Sequence, residues 1–277
     1  MLRNTKLLSL LLIISGFIFS CDDNEDTVTP EKSNSEAILE DMVFMNAEIN
    51  SAMGIGFSAF GSVGGRLAED DFFCGEISFN FESNFEVIID YGEGCEGPDG
   101  KIRSGKISFS TNGQEEEDLF EFTLTYDNLF VNGNLINGSI TSSGFTQNSD
   151  GNYQYTITAS NISVKFDEDD STLSYSGTHT YEWIKGFESE DPFAVEYRIT
   201  GSTSGTTRRG VQYSSEITTP YIVKTVCYAE GNFYPTTGVS SVTPVGSPNF
   251  SVDFGSGTCD KKATIEIGSE TIEVNLP

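Results

Sequence analysis

The chain has 277 residues, 42 of them acidic and 15 basic, for a formal net charge of −27. A field of that sign repels nucleic acid and anionic lipid headgroups, which excludes both as default partners. Aromatic residues make up 12% and hydrophobic residues 37%, enough apolar material for a packed core, so the charge bears on partners rather than on fold.

Residues 1–20 read as a secretory signal peptide. Arg3 and Lys6 form a basic start, and the apolar run from Leu7 to Phe19 is too short to span a bilayer. The following Ile18-Phe19-Ser20-Cys21 resembles the lipobox of bacterial lipoproteins, which implies acylation of Cys21 and a membrane anchor through the N-terminal lipid. Processing would remove two basic residues and no acid, making the chain still more negative. Residues 21–34 form an acidic, flexible tether poor in residues able to bury surface. Its Asp22-Asp23-Asn24-Glu25-Asp26 is similar to the export signal of Bacteroidota surface lipoproteins. That resemblance implies an outer-membrane protein exposed at the cell surface.

Residues 35–277 are expected to form one domain. Ser35 would cap a helix running to about Met53, with Ile38, Met42, Met45, Ile49 and Met53 forming an apolar stripe at helical spacing. The stripe predicts adaptable packing on a core, with a cofactor or partner groove as the alternative. Gly54 to Gly65, rich in glycine and serine, predicts a loop. From Asp71 onward the pattern is strand. Apolar and polar residues alternate around Phe79, Leu124, Tyr155 and Tyr197, the period-two signature of antiparallel sheet with one wet face. The expected fold is all-β: a large antiparallel meander forming a bent sheet or sandwich, with the N-terminal amphipathic helix packed on it.

Two strands slip phase in the same way, at Asp127-Asn128 and at Ser160-Asn161. A one-residue slip sends the following side chains to the other face unless a bulge absorbs it, so paired bulges are expected. Asn132-Gly133, Asp150-Gly151 and Gly268-Ser269 predict tight hairpins, and Pro98-Asp99-Gly100 a turn.

An internal repeat spans about 72–110 and 225–277. Asn84-Phe85-x-Val87 aligns with Asn249-Phe250-x-Val252, and Asp90-Tyr91-Gly92-x-Gly94-Cys95 with Asp253-Phe254-Gly255-x-Gly257-Thr258-Cys259. With Cys21 assigned to lipid, four cysteines remain, and an exported chain favours disulfides over thiol chemistry. Each repeat has one cysteine before its Asn-Phe strand and one after its Gly-x-Gly corner. The repeat therefore selects Cys74–Cys95 and Cys227–Cys259 from the three pairings, each worth about 3 kcal/mol in the chain-entropy picture.

The run Gly94-Cys95-Glu96-Gly97-Pro98-Asp99-Gly100-Lys101-Ile102-Arg103-Ser104-Gly105-Lys106-Ile107 resembles a Gly-Cys-x-Gly-x-Asp-Gly-x-x-Arg-x-Gly-x-Ile segment of uncharacterised Bacteroidota lipoproteins. Tyr126 to Asn134 is similar to that family's next recognisable piece. The resemblance covers roughly Phe72 to Gly144 and carries localisation and fold, not an activity.

Candidate chemistry is sparse. His179, the single histidine, shares parity with Leu173, Tyr175, Tyr181 and Trp183, which predicts a core imidazole; a general base is the alternative. No nucleophile motif accompanies it. The acidic runs at Glu115 to Asp118, Asp167 to Asp170 and Glu188 to Asp191 read as solvated loop tips. A Ca²⁺ ion held by Asp167, Asp169 and Asp170 is the sharper reading of one run, although the Asp-x-Asp-x-Asp-Gly loop is absent. Asp90 and Asp253 are expected to accept backbone N–H groups in Asx turns, and Arg103 to pair with Asp90 or Asp99.

The expected role is therefore not enzymatic. It is a lipid-anchored envelope protein that binds a glycan or an envelope protein, or serves a structural role, through its solvent face and an exposed aromatic row. A carrier of lipid or another apolar ligand, and a secreted carboxylate-dependent glycoside hydrolase, are the alternatives.

Overall fold

Hydrogen bonding between period-two strands yields one antiparallel sheet. The computed structural model describes residues 33–62, 74–80, 85–111, 121–189 and 191–276. The strands are β1 (Glu76–Asn80), β2 (Phe85–Asp90), β3 (Cys95–Glu96), β4 (Ile102–Thr111), β5 (Phe122–Val131), β6 (Asn134–Gln147) and β7 (Tyr153–Lys165). They continue with β8 (Thr172–Lys185), β9 (Glu196–Thr206), β10 (Gln212–Lys224), β11 (Thr237–Pro244), β12 (Phe250–Ser256), β13 (Lys262–Ile267) and β14 (Glu270–Asn275). Each pairs with its sequence neighbour, except that the short β3 lies off the path and pairs β4, so β2 meets β4 directly. The result is a 14-stranded open meander with β1 and β14 as its edges.

The helix α1 (Asn34–Ser62) is longer than expected at both ends. Ser33, not Ser35, caps it. The Ser33 hydroxyl accepts the Glu36 N–H at 3.3 Å, while the Glu36 carboxylate accepts the Ser33 N–H at 3.0 Å. This is a reciprocal capping box, and it outcompetes Ser35, which sits buried inside the first turn. At the other end the helix runs through Gly54 and Gly56 to Ser62, where a loop was expected. Gly56 is buried against Phe109 with no room for a side chain, so packing outweighs its poor helix propensity.

All five residues of the apolar stripe are buried, and Met45 completely so. The stripe divides its contacts along the helix. Ile38, Leu39, Met42 and Val43 pack with Tyr213, Val242, Phe250, Val252 and Ile265 from the C-terminal strands. Met45, Ile49, Ala52, Met53 and Ala59 pack with residues of β2 and β4 to β8, among them Phe109, Leu124, Ile140 and Tyr175. One helix thus fills two adjoining stretches of the same inner face. Polar latches fix its register: Asp41, only 2% exposed, accepts from the Arg208 backbone N–H at 2.9 Å and its Nε at 2.6 Å. Lys101 reaches Glu48 at 2.6 Å, and the Tyr175 hydroxyl donates to Asn46 at 3.2 Å.

Both phase slips are bulges. Asn128 and Asn161 take positive φ, 47° and 49°, at register shifts between Thr125 and Leu129 and between Ala159 and Ile162. Beyond each bulge the apolar residues return to the buried face, so Leu129, Val131, Ile162 and Val164 join the same core as Tyr126 and Ala159. The structure joins Cys74 to Cys95 and Cys227 to Cys259, with Cα atoms 5.7 and 5.4 Å apart. The expected turns are present as well: Asn132 and Gly133 both have positive φ, and Gly268-Ser269 links β13 to β14.

Candidate functional site

The two repeat corners are built alike. Asp90 accepts the Gly92 N–H at 2.9 Å and Asp253 accepts the Gly255 N–H at 2.8 Å, the Asx turn expected of both. The following glycines match as well: Gly94 and Gly257 have φ of 137° and 114°. Asp90 also pairs with Lys106 at 2.7 Å. Arg103 chooses Asp99, which takes two guanidinium hydrogen bonds of 2.8 and 2.6 Å. Those bonds hold the Asp99 carboxyl down at about 2. The corners are therefore framework, the Asp90 carboxylate committed to backbone and cation and that of Asp253 to backbone.

His179 lies on the inner face between Ile157 and Gly201 in the register. Burial depresses its pKa to about 4, and no charged group enters among the causes. It makes no hydrogen bond among the described residues. An imidazole that weakly basic, with no acid to orient it, is a poor general base at neutral pH.

The acidic runs are spread out by their local bonds. Asp169 accepts the Ser171 N–H at 2.9 Å, Asp170 pairs with Lys165 at 2.8 Å, and the Asp167 N–H donates to the Asn134 side chain at 3.2 Å. Asp191 caps a 3₁₀ turn (Pro192–Ala194) by accepting the Phe193 N–H at 2.9 Å. Among the described residues no group of three or more His, Cys, Asp or Glu side chains is arranged to hold a metal ion. Cys21, the signal peptide and Glu115 to Asp118 lie outside the described residues.

The wet face differs from expectation in its side chains. The aromatic residues of β7 to β9 turn inward, where Tyr155 stacks on Tyr181 at 5.3 Å and Trp183 meets Tyr197 at 5.3 Å. Exposed rings are scattered instead: Phe187, Phe193 and Phe233 at one end of the strands, Phe130 on the outer side of β5 and Phe79 on the edge strand β1, with no row along the face. Phe187 lies over Tyr153 with ring centroids 4.1 Å apart. The reason is parity: the aromatic positions share the period of the core residues, so the sheet buries them together.

Hydroxyl side chains occupy the wet face in their place. Thr141, Thr158, Thr178, Ser202, Glu216 and Ser241 face one another across six consecutive strands from β6 to β11. On one side stands the parallel row Ser143, Thr156, Thr180 and Thr200. On the other, Ser204, Ser214 and Thr243 continue the pattern over β9 to β11. This surface is concave: a trough of about 980 Å³ crosses β7 to β11. A smaller hollow of about 490 Å³ shares Asn161, Ser176 and Ser204 with it and carries the concavity on toward Gln212.

No protein-family model, curated protein or solved structure matches this chain. The site must be read from its own chemistry. Thr156 and Thr180, and Thr158 and Thr178, share hydroxyl hydrogen bonds of 3.3 and 3.4 Å, cross-strand pairs that stabilise the sheet. The hydroxyls of Ser202, Ser204, Ser214 and Ser241 make no hydrogen bond among the described residues and face water. Glu216 is the one charged residue among those lining the trough.

Alternation alone could have located this surface. Thr156-x-Thr158-x-Ser160, Ser174-x-Ser176-x-Thr178-x-Thr180 and Thr200-x-Ser202-x-Ser204-x-Thr206 are period-two hydroxyl runs in three successive strands. The apolar positions of the same strands report only the opposite, inner face.

Proposed function

We propose that this chain is a lipid-anchored protein of the bacterial outer membrane, displayed at the cell surface, whose work is binding through the wet face of its sheet. The observation that carries the binding role is the contrast between the two faces. The inner face is occupied by the chain's own helix, whose stripe from Ile38 to Met53 is buried in the core. The outer face presents a broad concave surface of hydroxyl groups. A carrier of apolar ligand needs space between helix and sheet, and the methionines that would line it are packed into the core instead. A hydrolase needs convergent catalytic groups, and the geometry of His179, Asp90 and Asp253 favours structural work for each.

The anchor rests on the signal peptide and on Cys21, and surface display on the acidic residues that follow. Both agree with two disulfides in an exported chain. The test is expression of the full chain and of Cys21→Ser in a Bacteroidota host with radiolabelled fatty acid. Labelled protein in the outer-membrane fraction, degraded by protease added to intact cells and released by Cys21→Ser, is the expected result. Unlabelled protein in the soluble fraction overturns the reading.

A further inference from the structure

The trough across β7 to β11 selects a ligand class. We propose that it binds a neutral polysaccharide lying across the strands, an inference that rests on the binding role above. Charge is the first argument. In a chain with 42 acidic residues, Glu216 is the one carboxylate among the trough's lining residues, and no lysine or arginine is among them. Such a surface holds no cation for a phosphate, sulfate or uronate, and the net charge of the chain repels them.

Hydrogen-bonding capacity is the second argument. Each serine or threonine hydroxyl both donates and accepts, so rows of them match a ligand whose groups are also hydroxyls. Ser202, Ser204, Ser214 and Ser241 have that capacity unspent within the described residues. Side chains this short, with the backbone at Gly177 and Gly201 beside them, leave the floor accessible to a ligand's polar edges. Strand propensity accounts for threonine here but not for the serines that predominate over β9 to β11.

Shape is the third argument. The trough is open, and the adjoining hollow prolongs it, sharing Asn161, Ser176 and Ser204. An open groove that continues past any one subsite suits a chain molecule better than an enclosed monosaccharide. Binding comes from many hydrogen bonds in a wet groove rather than from ring stacking, because no aromatic side chain is among the trough's lining residues.

The experiment is affinity electrophoresis of the full chain through gels holding laminarin, mannan, galactomannan or dextran, with alginate as the anionic control. Ser202→Arg puts a long cation at the centre of the trough at an exposed position. Thr271→Arg puts the same group on β14, outside it. Retardation by at least one neutral polymer, weakened tenfold or more by Ser202→Arg and unchanged by Thr271→Arg, is expected, with circular dichroism showing both variants folded. Equal retardation of Ser202→Arg overturns the site while leaving the chain a binding protein. Retardation by alginate alone, or by none of the polymers, overturns the ligand class. The binding role itself then stands or falls on chemical cross-linking to surface partners on intact cells.

Discussion

The backbone of α1 at Gly56 lies against the ring of Phe109, so closely that a methyl group on Gly56 would overlap the ring. The helix gains a contact that no larger residue allows, and Phe109, 1% exposed, anchors β4 beneath it. Gly54, two residues earlier, is exposed and has open space around its Cα. Gly56→Ala should therefore destabilise the fold by about 1–3 kcal/mol despite its better helix propensity. Gly54→Ala should stabilise it by roughly 0.5–1 kcal/mol. Urea unfolding of the two variants reads both signs, and equal effects would show that the helix does not sit on Phe109.

The bulge at Asn128 depends on Gly105 of the neighbouring strand. Gly105 has φ of 83°, and a side chain there would strike the Asn128 backbone carbonyl. Gly105→Ala should cost more than about 2 kcal/mol, combining strain at positive φ with collision against a backbone that cannot swing aside. Asn128→Gly should be neutral or mildly stabilising, since its φ of 47° suits glycine. Thermal unfolding decides the matter. A Gly105→Ala protein as stable as the parent would show that the bulge does not depend on glycine at this position.

Those two glycines mark the limit of what the amino-acid pattern could reveal. Strand alternation, the slips at Asn128 and Asn161, the hairpins and the cysteine pairing all depend on neighbours in sequence or on the repeat, so they were legible. The helix boundary was not, because Gly56 is chosen by Phe109, a partner 53 residues away. The ion pair of Asp41 with Arg208 was hidden for the same reason. The hydroxyl surface is a different case. Each row is plain along its own strand, but its extent depends on the registers of six strands, and only the assembled sheet aligns Thr141 with Ser241.

The disulfides give a third expectation. They close separations of 21 and 32 residues. In the chain-entropy picture the removal of each costs about 3–4 kcal/mol, the longer loop exceeding the shorter by about 0.4 kcal/mol. Paired Cys→Ser replacement at Cys227 and Cys259 should lower the urea midpoint more than replacement at Cys74 and Cys95. Non-reducing peptide mapping that joined Cys74 to Cys227 would refute the pairing outright.

Asp99 and Arg103 provide an acid-side expectation. Arg103 is buried while Asp99 remains 44% exposed, so water screens the pair from one side. The Asp99 pKa in the fold, about 2, lies below its ordinary value of 3.8. The pair's stabilisation is thus present above pH 4 and lost as pH falls toward 2. After allowance for screening it amounts to about 1 kcal/mol. Asp99→Asn should lose that much at neutral pH and show a correspondingly flatter acid limb. An unchanged limb would mean that Arg103 is satisfied without the carboxylate.

His179 acts in a separate pH window. Its pKa falls from 6.5 to about 4 because burial disfavours the charged ring. Upon acidification the unfolded chain takes up this proton first, so stability should be complete above pH 6.5 and decline between pH 6.5 and 4. The full decline attributable to one such group is roughly 3 kcal/mol. Carboxylates titrate mostly below this range, which leaves the slope between pH 5 and 6.5 to the histidine. His179→Leu keeps an apolar side chain on the inner face beside Ile157 and should abolish that slope while leaving the limb below pH 4 in place. Urea unfolding at half-unit pH steps measures it directly. A slope that survives in His179→Leu would assign the proton elsewhere, and a parent protein with no slope would mean that the ring reaches water freely in the folded state.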